Sequence, residues 1–151
     1  MILISIYPEH VIAIKEGIKR YEFRKNPSRK TKNKLLKEKY IAVYETIPMS
    51  AITLILKIGN IFEDNILNLW EKFGNKSGIS RDYFMGYYHG KTKGIAVEII
   101  DFLVLEKPIT LSQIRKVYPR FIPPQNFYRI SEEKYPFLNN KLIKEIQKKN
   151  F

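Results

Sequence analysis

Apolar and β-branched residues fall in short runs along this chain, separated by proline, glycine and charged stretches, and the runs predict the elements. "ILISI" at residues 2–6 is a continuous apolar run with the length of a buried strand. Pro8 suits the first turn of a helix and Gly17 its end, so "PEHVIAIKEG" predicts a helix of about two to three turns. From Arg20 to Arg24 the pattern alternates, which places Arg20, Glu22 and Arg24 on one face of a strand and Tyr21 and Phe23 on the other. Residues 25–39 contain Pro27, Ser28 and many like charges, the composition of a solvated basic loop.

"YIAVYETIP" and "AITLILKIGNIFE" predict two strands with Pro48 at the turn between them. Asp64 or Asn65 caps a helix in which Ile66, Leu69, Trp70 and Phe73 recur at helical spacing, so Trp70 is read as a core residue. Ser80 caps a second helix, "RDYFMGYYHG", that ends near Gly90. A long β-type segment, "KGIAVEIIDFLVLEKP", then leads to a short helix at "TLSQIRKVY". The proline-rich "RFIPPQNFYRI" approaches a last strand, and residues 131–151 form a helical tail. No repeat at a solenoid period is present. Strands interrupted by short helices predict a single α+β domain over residues 1–151, built around a mixed or closed sheet.

Composition narrows the function. A chain of 151 residues is long enough to bury a core without disulfides or metal, and it contains no cysteine, which removes thiolate chemistry and makes the cytoplasm the expected compartment. No apolar run approaches the roughly 20 residues of a membrane span, so no membrane partner is expected. The apolar N-terminus has no basic n-region and is interrupted by Pro8 and Glu9, and it reads as a strand. The net charge of +12 points to a polyanionic partner. That charge is concentrated: ten of the 27 basic residues lie between Lys19 and Lys39, where the only acids are Glu22 and Glu38.

The candidate chemistry is sparse. "GYYHGKT" is one residue short of a phosphate-loop spacing and follows a helix, so nucleotide hydrolysis is set aside. His10 and His89 are the only histidines and belong to no metal-ligand pattern, and no nucleophile elbow appears. Tyr44, Tyr87, Tyr88 and Phe127 lie near polar or basic turns and are the candidates for stacking on unpaired bases. Lys19, Glu22 and Arg24 read either as an exposed ion pair or as the floor of an anion-binding cleft.

The segments "SIYPEHVIAIKEGIKRYEFRK", "YIAVYETIPM", "LWEKFGNKSGISRDYFMGYYHGKTKGIAVEI" and "PPQNF" occur in an order that resembles ASCH domains of the PUA-like superfamily, especially small stand-alone prokaryotic members. Gly17, Lys19, Glu22 and Arg24 resemble the family's G-x-K-x-x-E-x-R signature. The resemblance implies a small β-barrel with helices packed around it and a cleft lined by Lys19, Glu22 and Arg24. It implies RNA or another single-stranded nucleic acid as partner, a modified nucleotide included, with no metal or cofactor. In this reading Lys19, Glu22 and Arg24 form the specific site, Tyr44 is a further nucleic-acid-binding residue, and Arg29, Lys30, Lys32 and Lys34 add affinity without specificity.

The same resemblance carries alternatives. Some ASCH relatives are amidohydrolases acting on a modified cytidine and others cut RNA, so Lys19 and Glu22 would be catalytic if the chain is a hydrolase. Glu22 stands where the amidohydrolase branch has threonine, and a carboxylate cannot act as that hydroxyl nucleophile, although it can serve as a general base on water. Leu54 stands where many relatives have glycine, which would narrow a ligand's approach to that strand. A third reading is a protein-interaction module in transcriptional regulation.

Overall fold

The computed structural model describes residues 1–26 and 28–151, excepting the side chains of Lys30, Thr31 and Lys34. The elements run β1 (Ile2–Ile6), α1 (Pro8–Lys15), β2 (Tyr21–Lys25), α2 (Arg29–Leu35), β3 (Tyr40–Glu45) and β4 (Ala51–Asn65), then α3 (Ile66–Phe73) and α4 (Arg81–Tyr87). They continue with β5 (Lys93–Thr110), α5 (Leu111–Val117), β6 (Tyr128–Arg129) and α6 (Pro136–Lys148).

The described strands form one mixed sheet in the order β2-β5-β4-β3-β1-β6, in which β1 and β3 run parallel and the other neighbouring pairs antiparallel. The two long strands β4 and β5 are paired through three register shifts, and such bulges bend a sheet and increase its twist. The expected α+β class holds, and the barrel takes the form of a curled half-barrel with β2 and β6 at its edges.

Alternation along the strands builds a core on each face of the sheet. Ile2, Ile4 and Ile6 of β1 pack with Ile41 and Val43 of β3, Leu54 and Leu56 of β4, and Val11 and Ile14 of α1. The intervening Leu3 and Ala42 pack with Ile114 of α5 and Leu138 and Leu142 of α6. A third cluster, aromatic in character, sets Phe23 of β2 against Leu69, Phe73, Phe84 and Tyr88. Trp70 packs against this cluster, as its helical spacing predicted.

The basic segment is not a continuous loop. It contains α2, whose Leu35 is fully buried in the first cluster. Charge composition predicted solvent for this stretch, but Leu35 packs into the core and Lys32 pairs with Glu63 of β4, and tertiary contacts of this kind hold a helix too short to persist alone.

Helix ends set the path into the site. The backbone N–H of Gly17 bonds to the carbonyl of Ile14, and those of Ile18 and Lys19 both bond to the carbonyl of Ala13. Gly17 has a φ of 73°, the left-handed value that glycine adopts without a Cβ penalty at a helix C-terminus. This turn reverses the chain and delivers Lys19 to the start of β2. At the other side of the site, the Ser80 hydroxyl accepts a hydrogen bond from the Tyr83 backbone N–H and starts α4.

Candidate functional site

β2 carries the site because its alternation puts Phe23 into the aromatic cluster and turns Glu22 and Arg24 the other way. Glu22 holds both neighbouring cations. Its Oε2 is 3.0 Å from Lys19 Nζ, and its Oε1 is 2.9 Å from Arg24 Nε, without the alignment of a hydrogen bond. Backbone carbonyls fix the far ends of both cations: Lys19 Nζ donates to the Ser77 carbonyl at 2.9 Å, and Arg24 Nη2 donates to the Ser5 carbonyl at 2.6 Å. All three side chains are buried. This is a connected ionic floor with two positive charges against one negative, and its anchors come from β1, β2 and the loop before α4.

Burial by itself would raise the Glu22 pKa, but the opposing charges of Lys19 and Arg24, with the Lys19 hydrogen bond, outweigh it and hold the carboxyl below its ordinary value. Glu22 therefore stays ionised. The His10 imidazole is pushed the other way from protonation, first by burial and then by the charge of Lys19, so its neutral form is favoured.

Above this floor lies a cleft of about 80 Å³ lined by Ser5, Tyr7, His10, Lys19, Glu22, Arg24, Ile79, Tyr83 and Tyr87, among others. A volume of that size holds a few water molecules or a compact anionic group. The arrangement suits anion recognition: a fixed guanidinium and a fixed ammonium at the bottom of a partly enclosed space, where screening by solvent is reduced.

The structure brings together Lys19, Glu22 and Arg24 and separates them from several other sequence candidates. Tyr44 is buried in the cluster on the α5–α6 side of the sheet, because its position on β3 alternates with Val43, which faces the first cluster. Tyr88 is also buried. Its ring lies against the backbone of Gly94 and its hydroxyl donates to the Arg24 carbonyl at 2.7 Å, so it supports β2 from behind. Phe127 packs against the first cluster, and Leu54 lies within it. Of the four aromatic candidates only Tyr87 lines the cleft.

The basic arm is likewise apart from the floor. Arg29 is exposed, and Lys32 is paired with Glu63 of β4, to which Asn26 Nδ2 also donates at 3.1 Å. Neither Arg29 nor Lys32 lines the cleft. The expectations for Lys30 and Lys34 lie outside the described side chains. Among the described residues, no group of three or more histidine, cysteine, aspartate or glutamate side chains comes together as a metal site, and no helix is long and apolar enough to cross a membrane.

Sequence reasoning missed Tyr7, His10 and Tyr83. A signal for Tyr83 was present: "DYFMGYY" repeats an aromatic pair at a four-residue interval, so Tyr83 and Tyr87 share one face of α4, while Phe84 and Tyr88 share the buried one. The carbonyls of Ser5 and Ser77 had no sequence signal, since every residue carries one.

No protein-family model matches the chain. A curated relative, an ASCH domain-containing ribonuclease from Zymomonas mobilis, is 27% identical over 134 residues, spanning 87% of this chain and 84% of the relative. Among solved structures, a serine-to-alanine mutant of the ASCH protein from Zymomonas mobilis matches with a TM-score of 0.79 and 26% identity, covering 95% of this chain and 94% of that one. The crystal structure of ASCH from the same organism matches with a TM-score of 0.76 and 25% identity, over 95% and 93% of the two chains. The N-terminal domain of Staphylothermus marinus McrB shares the fold alone, with a TM-score of 0.57 at 13% identity over 92% of this chain and 91% of that one.

Proposed function

We propose that this chain, an ASCH domain in sequence and fold, binds single-stranded RNA in the cytoplasm and receives a phosphate of the strand over Lys19 and Arg24. The observation that carries this reading is the buried ionic floor, with its net positive charge at the bottom of a small cleft. Phosphates are exposed on a duplex and a single strand alike, but only the single strand leaves its bases unstacked and free to follow a phosphate into a cleft. The ribonuclease named among the relatives supports RNA as the polyanion.

Glu22 fits the role of an orienting group. A carboxylate held ionised by two cations is a weak proton acceptor, and its lone pairs are already directed at Lys19 and Arg24. Its task in this reading is to fix the positions of two cations that would otherwise repel one another.

RNA cleavage is the second reading, and the relative's ribonuclease name favours it. Lys19 and Arg24 would then stabilise the charge that develops on the phosphate, which is the chemistry a fixed pair of donors supplies. Hydrolysis of a modified nucleoside would instead require Glu22 to act as a base, and the two cations oppose that.

Equilibrium binding of a short single-stranded RNA across a salt series tests the proposal, comparing wild type with Arg24→Lys and with Lys19→Met. A specific cleft predicts at least a tenfold loss for each variant that persists at high salt, with folding checked by thermal melting. Affinity that vanishes with salt and ignores both substitutions would reduce the interaction to general charge. The same RNA, followed for chain breaks in the presence of a chelator, tests the second reading.

A further inference from the structure

The rim of the cleft is aromatic, and the fold leaves that aromatic surface in water. Tyr7, at the entry to α1, is 55% exposed, and Tyr83, in the first turn of α4, is 43% exposed. Both line the cleft. His10 stands between them, making edge-on contacts with Tyr7 at 6.2 Å and with Tyr83 at 5.3 Å between ring centroids. Contacts of this kind hold rings in defined orientations. The molecule contains enough large apolar side chains to build three packed clusters without these two tyrosines.

The same cleft is lined by the two cations of the floor, Lys19 and Arg24, and by Tyr7 and Tyr83. A nucleotide whose phosphate meets Lys19 and Arg24 therefore has its base within reach of exposed tyrosine rings. Burial raises the Tyr83 pKa, with the charges of neighbouring tyrosines and glutamates adding to the effect, so its hydroxyl remains neutral beside an anionic strand.

We propose that Tyr7 and Tyr83 form a base-stacking subsite at the rim, which takes one unpaired nucleobase of an RNA strand whose phosphate sits over the ionic floor. This rests on the RNA-binding reading given above and adds where the base lies. Stacking on an aromatic face accepts any base, because every base has a π-face. The subsite thus supplies affinity for unpaired RNA with little preference for sequence, and it discriminates against a duplex, whose bases are already stacked.

The test is equilibrium binding of a fluorescein-labelled single-stranded RNA of about ten nucleotides to wild type, Tyr7→Ala, Tyr83→Ala and Tyr83→Phe. It is repeated with RNAs carrying one abasic nucleotide at each position in turn. Stacking predicts about a 5- to 150-fold weaker Kd for at least one alanine variant and near wild-type affinity for Tyr83→Phe. It also predicts that an abasic nucleotide at the stacked position weakens wild type by a similar factor and that alanine variant hardly at all. Thermal melting near the wild-type value shows that each variant is folded.

Wild-type affinity in both alanine variants overturns the subsite while leaving RNA binding in place. So does a phenylalanine variant as weak as the alanine one, which would assign the effect to the hydroxyl. Loss of equal size with intact and abasic RNA also overturns it. Absence of RNA binding by wild type itself overturns the underlying reading and the subsite with it.

Discussion

Lys19 and Glu22 form an ion pair of 3.0 Å whose side chains are only 2% and 10% exposed. A pair this far from water has lost most of its hydration and depends on its partners. Removing the carboxylate leaves two cations facing each other without their shared counter-charge. Glu22→Gln is therefore expected to lower stability by about 3–5 kcal/mol, read from urea denaturation. A change within about 0.5 kcal/mol would mean that the pair is hydrated in solution.

Acid should destabilise the fold in two stages. The His10 pKa lies below its ordinary 6.5, held down first by burial and then by Lys19. The unfolded chain binds that proton more readily, so the stability His10 contributes is complete above about pH 6.5 and is lost as pH falls through its folded value. The groups around it are Tyr7, Glu9, Lys19, Glu22, Arg24 and Tyr83. Glu22 follows the same sign at lower pH: its contribution is present above its ordinary 4.5 and is lost as pH drops through its depressed folded value. Melting temperatures from neutral pH downward should fall in wild type, and His10→Gln should flatten the upper stage while sparing the lower one.

Ser80 positions the helix that carries Tyr83 and Tyr87. Its hydroxyl accepts from the Tyr83 N–H at 3.1 Å, so Ser80→Ala should lower stability by about 1 kcal/mol. Ser80→Asp keeps an acceptor and should hold near wild type in the same denaturation experiment.

The arm should act weakly. Lys32 is already paired with Glu63, whereas Arg29 faces solvent. Neutralising Arg29 should reduce the dependence of log Kd on log salt for RNA by at most about one unit. Lys32→Gln should reduce it by less, since its charge is partly cancelled.

The parts of the molecule that were legible in the sequence are those with a local physical cause. Gly17 ends α1 because a left-handed turn is needed there, and alternation in β2 separates Phe23 from Glu22 and Arg24. Caps at Asn65 and Ser80 are local as well. What could not be read depends on partners distant in the chain. Leu35 makes a helix out of a charged segment because the sheet provides a place for it. Tyr44 looked available beside a polar turn, but α5 and α6 cover its face of the sheet. Lys19 and Arg24 take their anchoring carbonyls from positions 58 residues later and 19 residues earlier, a distance no short motif spans.

The central claim is one of place: RNA meets the protein over Lys19 and Arg24. Mapping amide chemical shifts of isotope-labelled protein during titration with a short single-stranded RNA tests it most directly. The account predicts that the largest shifts cluster at residues 5–10, 19–24, 77–79 and 83–87, around the cleft. Shifts confined to residues 28–39, or spread evenly over basic residues of the surface, would contradict it.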